Sequence, residues 1–325
     1  MMGVIKALTR HLVLAIPATL LLGLLFGAVA PVGWLSTLVI PLTLLMIYPM
    51  MVNLRLGELL RGGDGRAQGL AQLINFAVIP FIAYGLGLWW FADAPYLALG
   101  LLLAALLPTS GMTISWTGFA QGNLPAAVKM TVVGLILGSL AAPLYVKWLM
   151  GASIPVDLVA VFRQIILVVG VPMLAGQLTR YFLIKRHGAE GFRTQWAPRF
   201  PPLSTIGVLG IVFVAMALKA EDLLASPGLL IDISIPLLLL YAINYALSTL
   251  VAKVWLPRGD GIALVYGTVM RNLSIALALA MNAFGEAGSD AALLIALAYI
   301  IQVQSAAWYV RLTDRLFGPP AEAQH

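Results

Sequence analysis

The stretch GIALVYGTVMRNLSIALALAMNAFG, residues 261–285, is long and apolar enough to cross a bilayer, yet it carries an arginine, Arg271, about ten residues from its start. A second such run, Leu124–Trp148, carries Lys129 nearer its Leu124 end. A cation at the centre of a spanning helix costs roughly 2.5–3.5 kcal/mol on insertion scales. Residues of this kind persist where they face a polar cavity and have something to bind or to pair with. The two runs therefore point to a membrane protein with an internal polar site of anion-attracting character.

The rest of the chain agrees with a lipid solvent. Its 325 residues are 61% hydrophobic and 10% charged, with a mean hydropathy of +0.98. A soluble domain is closer to a quarter charged, so soluble enzymes and nucleic-acid binders drop out. The absence of cysteine excludes disulfides, thiolate metal sites and thiol catalysis. The start, MMGVIKALTRHLVLAIPATLLLGLLFGAVAPVGW, has a basic leader followed by an apolar run longer than a signal-peptide core, and is read as a retained first helix.

Ten spans are expected, at 12–30, 35–54, 68–91, 96–116, 124–148, 158–183, 203–219, 229–256, 261–284 and 290–312. The longest polar stretch is Lys185–Pro202, after the sixth. With both termini cytoplasmic, Lys6, Arg10, Arg55, Arg61, Arg66, Arg180, Lys185, Arg186, Arg193, Arg199, Lys253, Arg258, Arg311 and Arg315 fall inside. Lys147, Arg163 and Lys219 fall outside. The net charge of +6 and the pI near 9.7 are thus mostly a topology signal. They do not call for a nucleic-acid partner.

The fifth span ends Pro143-Leu144-Tyr145-Val146-Lys147 and the tenth ends Ala307-Trp308-Tyr309-Val310-Arg311. The fourth is interrupted at Leu107-Pro108-Thr109-Ser110-Gly111, and the ninth at Gly267-Thr268-Val269-Met270-Arg271-Asn272. These matches predict a duplication, 1–150 and 151–325, whose second copy is inverted because each half has an odd number of spans. Inverted repeats with interrupted helices in matching positions point to a transporter site near the midplane.

Proline removes a backbone donor and clashes with the preceding turn, so the helix should break at Pro108. Broken backbone is tolerated in a membrane only where it faces protein or a wet cavity. Thr109, Ser110, Thr113 and Ser115 add hydroxyls there, which either meet cargo or bond their own helix. Arg271 cannot be neutralised and needs an anion, a carboxylate or several carbonyls; Asp232 is the only acid well inside the apolar register, early in the eighth span. Arg271 is thus either a substrate contact, with Asn272 beside it, or a tie fixing helix ends. Lys129 either faces the cavity or snorkels to the interface. Asn75, five residues before Pro80, and Gln302 and Gln304 are either binding groups or interhelical glue. No metal site or cofactor is expected.

These residues resemble a known family. Met46-Ile47-Tyr48-Pro49, Arg55 and Glu58-Leu59 look like the YP…R.EEL element of the arsenite-permease family of the bile acid:sodium symporter superfamily. Asn75 and Pro80 match its N…P element. Pro108-Thr109-Ser110-Gly111-Met112, Trp116 and Gly122 are similar to its P-C-T-A-M…W…G-D element. Gly170-Val171-Pro172-Met173-Leu174-Ala175-Gly176-Gln177-Leu178-Thr179-Arg180-Tyr181 resembles its G-I-P-F-L-A-G-F-L-T-R segment, and Pro202-Leu203-Ser204 fits too. The resemblance covers nearly the whole chain. It implies an all-α integral membrane fold: ten helices in two inverted five-helix repeats, a panel and a core subdomain, and discontinuous helices 4 and 9 that cross.

Two departures bear on function. The family's fourth-helix cysteine falls on Thr109, and a hydroxyl is a poor ligand for trivalent arsenic. Its ninth-helix glutamate falls on Asn272, with Arg271 alongside. A cation bound beside Arg271 and Lys129 would be penalised by like charge, so little or no sodium dependence is expected. The combined expectation is a secondary transporter in the plasma membrane moving a small anion or metalloid oxyanion, with any coupling proton or ion and the oligomeric state left open. Its rivals are arsenite or antimonite efflux with hydroxyls in place of the thiol, and sodium-coupled uptake of an organic anion. A membrane enzyme would need an acid pair, a metal cluster or a nucleophile–base pair at depth, and none is visible.

Overall fold

The computed structural model describes residues 12–57, 65–225 and 228–319. Glu58 and the inward charges Lys6, Arg10 and Arg61 lie outside these residues. Among the described residues the chain is helical throughout, with one isolated antiparallel bridge between Pro108 and Arg271. Helix α1 is Leu12–Val29, and α2 is Gly33–Val52 with a 3-10 first turn. Helix α3 is Gly65–Trp90, α4 is Pro95–Leu106, α5 is Gly111–Phe119 and α6 is Leu124–Met150. Then come α7 Leu158–Ile165, α8 Val171–Gly191, α9 Phe200–Leu218 and the short α10 Ala220–Ala225. The last are α11 Leu229–Trp255, α12 Arg258–Val269, α13 Leu273–Phe284 and α14 Gly288–Phe317.

Six continuous helical stretches are long and apolar enough to cross a membrane among the described residues. Two of them, Leu158–Leu218 and Leu273–Phe317, run to 61 and 45 residues. At about 20 residues per crossing each has length for two passes.

Local chemistry sets several boundaries. Asn123 starts α6 by accepting the Ala126 N–H at 3.1 Å, and Asp157 starts α7 by accepting from Val159 at 3.0 Å and Ala160 at 3.1 Å. Two π-helical turns, Leu73–Val78 in α3 and Ile166–Gly170 between α7 and α8, each run up to a proline within two residues. A proline has no N–H to close the preceding turn, and a wider turn relieves its clash with the carbonyl behind it. The polar stretch 185–202 is mostly helical, kinked at Gly188 (φ 73°) and continued by turns at Phe192–Trp196 and Ala197–Arg199. Its polarity marks exposure to water, while its Lys, Arg, Ala and Glu content favours helix.

The helices pack in two groups. In the first, α2 and α9 lie together, α1 adds to α9, and α8 adds to α2. The motif residues of the second and sixth spans build this group. Tyr48 and Thr179 share a hydroxyl–hydroxyl bond of 2.7 Å, and Gln177 Nε2 donates to the carbonyls of Met51 at 2.8 Å and Leu54 at 3.1 Å. A side chain on Gly176 would stand 2.8 Å from the Met51 Cβ, so glycine is what lets α8 reach α2. Pro49 and Pro172 are buried within the two helices, whereas Arg55 is exposed past the end of α2. The second group holds α3 to α6 and α11 to α14, in which α12 touches α3, α5, α6, α11 and α14.

Candidate transport site

The two interrupted spans meet at their interruptions. Helix α4 ends at Leu106 and α5 begins at Gly111; α12 ends at Val269 and α13 begins at Leu273. Across the breaks the Asn272 N–H donates to the Leu107 carbonyl at 2.8 Å, within the Pro108–Arg271 bridge. Gln302 of α14 clamps the crossing from the side. Its Oε1 accepts the Arg271 N–H at 2.8 Å and its Nε2 donates to the Arg271 carbonyl at 3.2 Å. The Tyr241 hydroxyl of α11 donates to the same Oε1 at 2.9 Å.

The new helix ends are satisfied from several sides. Ser110 caps α5 by accepting the Met112 N–H at 3.2 Å, and Thr113 accepts the Ser110 N–H at 3.3 Å. Asn272 caps α13 by accepting the Ile275 N–H at 3.2 Å. The last carbonyls of α12 receive side chains from three other helices. Asn75 Nδ2 donates to Gly267 at 3.0 Å, and Asn244 Nδ2 to Thr268 at 2.9 Å. Thr113 reaches the Tyr266 carbonyl at 3.4 Å. A buried carbonyl left bare would cost about 1–3 kcal/mol, so these amides stabilise the break.

The guanidinium of Arg271 is the exception to this pairing. The residue is 3% exposed, and neither Nη1 nor Nη2 has a hydrogen-bond partner among the described residues. No acid among them pairs with it; Asp232 is exposed in the first turn of α11. Beside it is a small void of about 10 Å³ walled by Ile79, Ala104, Leu240, Tyr241 and Asn244. That is room for about one water molecule. Two helix C-termini, of α4 and α12, end at the crossing, and their partial negative charge offsets part of the burial cost.

The other expected site residues are distributed unevenly. Thr109 is fully buried in a left-handed conformation, φ 61°. Its hydroxyl lies 2.7 Å from the Pro108 carbonyl, 3.3 Å from that of Met130 and 3.2 Å from that of Thr131. It turns toward α6, where a side chain on Gly134 would collide with its Oγ1. It is not one of the walls of the void, and neither is Ser110 or Asn75. Asn75 is nonetheless buried with Oδ1 unpartnered. Ser115 is exposed on the outer face of α5, and Trp116 is half-buried, edge-on to Phe119 at 5.6 Å. Lys129 is half-buried on α6, has interactions of its own, and does not line the void.

Two residues at the centre, Tyr241 and Asn244, were not anticipated. The expected duplication offers a signal for Asn244, since it lies in the expected eighth span as Asn75 lies in the expected third, and both amides hold the same turn of α12. Nothing in the sequence marks Tyr241. No cluster of metal-binding side chains occurs among the described residues.

Comparison with known proteins relates the chain to membrane transporters. The chain is 21% identical over 263 residues to the arsenical-resistance protein Acr3 of Corynebacterium glutamicum, covering 76% of this chain and 70% of that one. It is 24% identical over 335 residues to Acr3 of Alkaliphilus metalliredigens, covering 94% and 92%. It is 29% identical over 217 residues to an uncharacterized sodium-dependent transporter, YocS, of Bacillus subtilis, covering 65% and 64%. The family is one of transporters, not of enzymes. With its apolar helices and a match to the family profile over residues 40–226, this integral membrane protein belongs to the Sodium Bile acid symporter family.

Proposed function

We propose that the protein is a secondary carrier of the plasma membrane that moves a small anion or metalloid oxyanion by alternating access, without need of sodium. The reading takes the chain as ten crossings in two inverted repeats, 1–150 and 151–325, with the α1, α2, α8, α9 group as the panel and the other group as the moving core. The two crossed breaks and the matched roles of Asn75 and Asn244 support it. Both termini are assigned to the cytoplasm by the basic residues at the span ends.

One observation carries the anion assignment: a buried guanidinium whose Nη1 and Nη2 have no partner among the described residues. Burying such a charge costs several kcal/mol unless something compensates it. An anion donated to by both nitrogens is the compensation with the best geometry. The void takes about one water, so loading requires α3 and α11 to draw back from Arg271. Asn272, Ser110 and Thr113 then supply neutral donors from the helix ends, while Thr109 shapes the break and Lys129 contributes only through the long-range field.

A thermal-shift screen of the purified protein tests the reading, with arsenite, arsenate, bicarbonate, small carboxylates and bile salts, each with and without sodium. A ligand bound only by the folded state raises Tm by mass action. The expected result is stabilisation by a small anion, independent of sodium and lost in Arg271→Gln. Transport into proteoliposomes that survives Arg271→Gln unchanged would remove the anion assignment.

The Acr3 relatives favour a second reading, arsenite efflux with hydroxyls replacing the thiol. Arsenite is neutral near pH 7, so stabilisation by arsenite that persists in Arg271→Gln would select it. A steep sodium dependence would select organic-anion symport instead.

A further inference from the structure

A larger cavity lies apart from the crossing. Between α11 and α14 a groove of about 560 Å³ opens sideways, walled by Tyr245, Ala246, Thr249, Trp308 and Tyr309, with Lys253 at one end. Both helices are long enough to cross the bilayer, so the groove runs along the membrane-embedded face. Its floor is aromatic: the Tyr245 and Tyr309 rings are 4.8 Å apart, and Tyr309 stands edge-on to the buried Tyr266 of α12 at 5.9 Å.

The polar content of the groove is arranged for an amphiphile. The Thr249 and Tyr309 hydroxyls are bonded to each other, and the Tyr245 hydroxyl is the polar group of the interior left without a partner among the described residues. The charge sits at the end. Lys253 is exposed in the last turn of α11 and pairs with no acid among the described residues. The nearby acid of α14, Asp314, is held by Arg258 at 2.7 Å. Trp308, 60% exposed, stands on the rim as aromatic residues do at the level of lipid headgroups.

We propose that this groove is a resident-lipid site: one acyl chain of an anionic phospholipid lies along Ala246 and the tyrosine floor, and its phosphate pairs with Lys253. A basic side chain at the end of an apolar cleft between spanning helices matches the chemistry that selects anionic over zwitterionic headgroups. The site is independent of the assignment made for Arg271.

The test is native mass spectrometry of delipidated protein titrated with phosphatidylglycerol or phosphatidylcholine of identical chains. The wild type should bind one phosphatidylglycerol about five-fold more tightly than phosphatidylcholine. Lys253→Gln should abolish the preference while still binding both lipids. Ala246→Trp, which fills the groove at an exposed position, should weaken both. Equal affinity for the two lipids in the wild type, or lipid binding unchanged by Ala246→Trp, overturns the proposal. So does a result in which Ala246→Trp leaves lipid binding intact but blocks proteoliposome uptake of cholate, or breaks a dimer; the groove would then be a cargo route or a subunit contact.

Discussion

Replacing Arg271 by methionine should stabilise the anion-free protein. Most substitutions at a fully buried crossing point of broken helices would do the opposite. Here the bonds that hold the crossing use backbone groups, those of residue 271 to Gln302 and the Asn272 N–H to the Leu107 carbonyl, and survive a change of the residue 271 side chain. What is lost is a buried charge with two unpartnered nitrogens beside a void of about 10 Å³. Exchanging a poorly compensated buried ion for an apolar side chain of similar length is worth about 1–4 kcal/mol. The two helix C-termini at the crossing already return about 0.3–1 kcal/mol each, leaving a net gain of about 1–2 kcal/mol. With an unfolding entropy typical of a chain this size, that is a rise in Tm of about 2–3 °C. Thermal unfolding in detergent, in a buffer of large weakly bound anions, measures it. The same variant should show no further rise when the cargo anion is added, whereas the wild type should. A fall of several degrees in the anion-free variant would refute the reasoning, because it would mean that the guanidinium ties parts of the fold together.

Three other outcomes follow from the same geometry. Gln302→Leu removes the acceptor and donor that clamp Arg271 and strands a buried N–H and the Tyr241 hydroxyl; thermal unfolding should show a loss of about 2–4 kcal/mol, together with loss of proteoliposome transport. Gly134→Ala drives a methyl group into the Thr109 hydroxyl, and should cost about 1–3 kcal/mol by overpacking, read as a lowered Tm that Thr109→Ser does not reproduce. Asn75→Ala and Asn244→Ala each bare one carbonyl of the last turn of α12, and each should lower stability by about 1–2 kcal/mol; a double variant no worse than either single would deny that they hold the turn from two sides.

Much of this was readable before any coordinates, and for a common reason. The apolar runs, the break at Pro108 and the charge at Arg271 are local properties. A run length, a missing N–H or a side chain that cannot lose its proton acts the same whatever packs against it. The motif residues were legible in kind, although Tyr48 and Gly176 build the α2–α8 junction and none of Tyr48, Pro49, Pro172 and Gly176 lines the void.

The direction in which each polar group points was decided by the tertiary structure. Thr109 and Ser115 lie on one interrupted span, yet one is sealed against α6 and the other faces outward. Lys129, about one turn into its apolar run, does not line the void, while Tyr241 and Asn244 wall it. A uniformly apolar helix has no polar face for periodicity to reveal, since lipid and protein interior favour the same side chains. The partners that satisfy the crossing, Asn75, Asn244 and Gln302, come from three different helices, and only their packing around α12 determines that one guanidinium is left without a partner among the described residues.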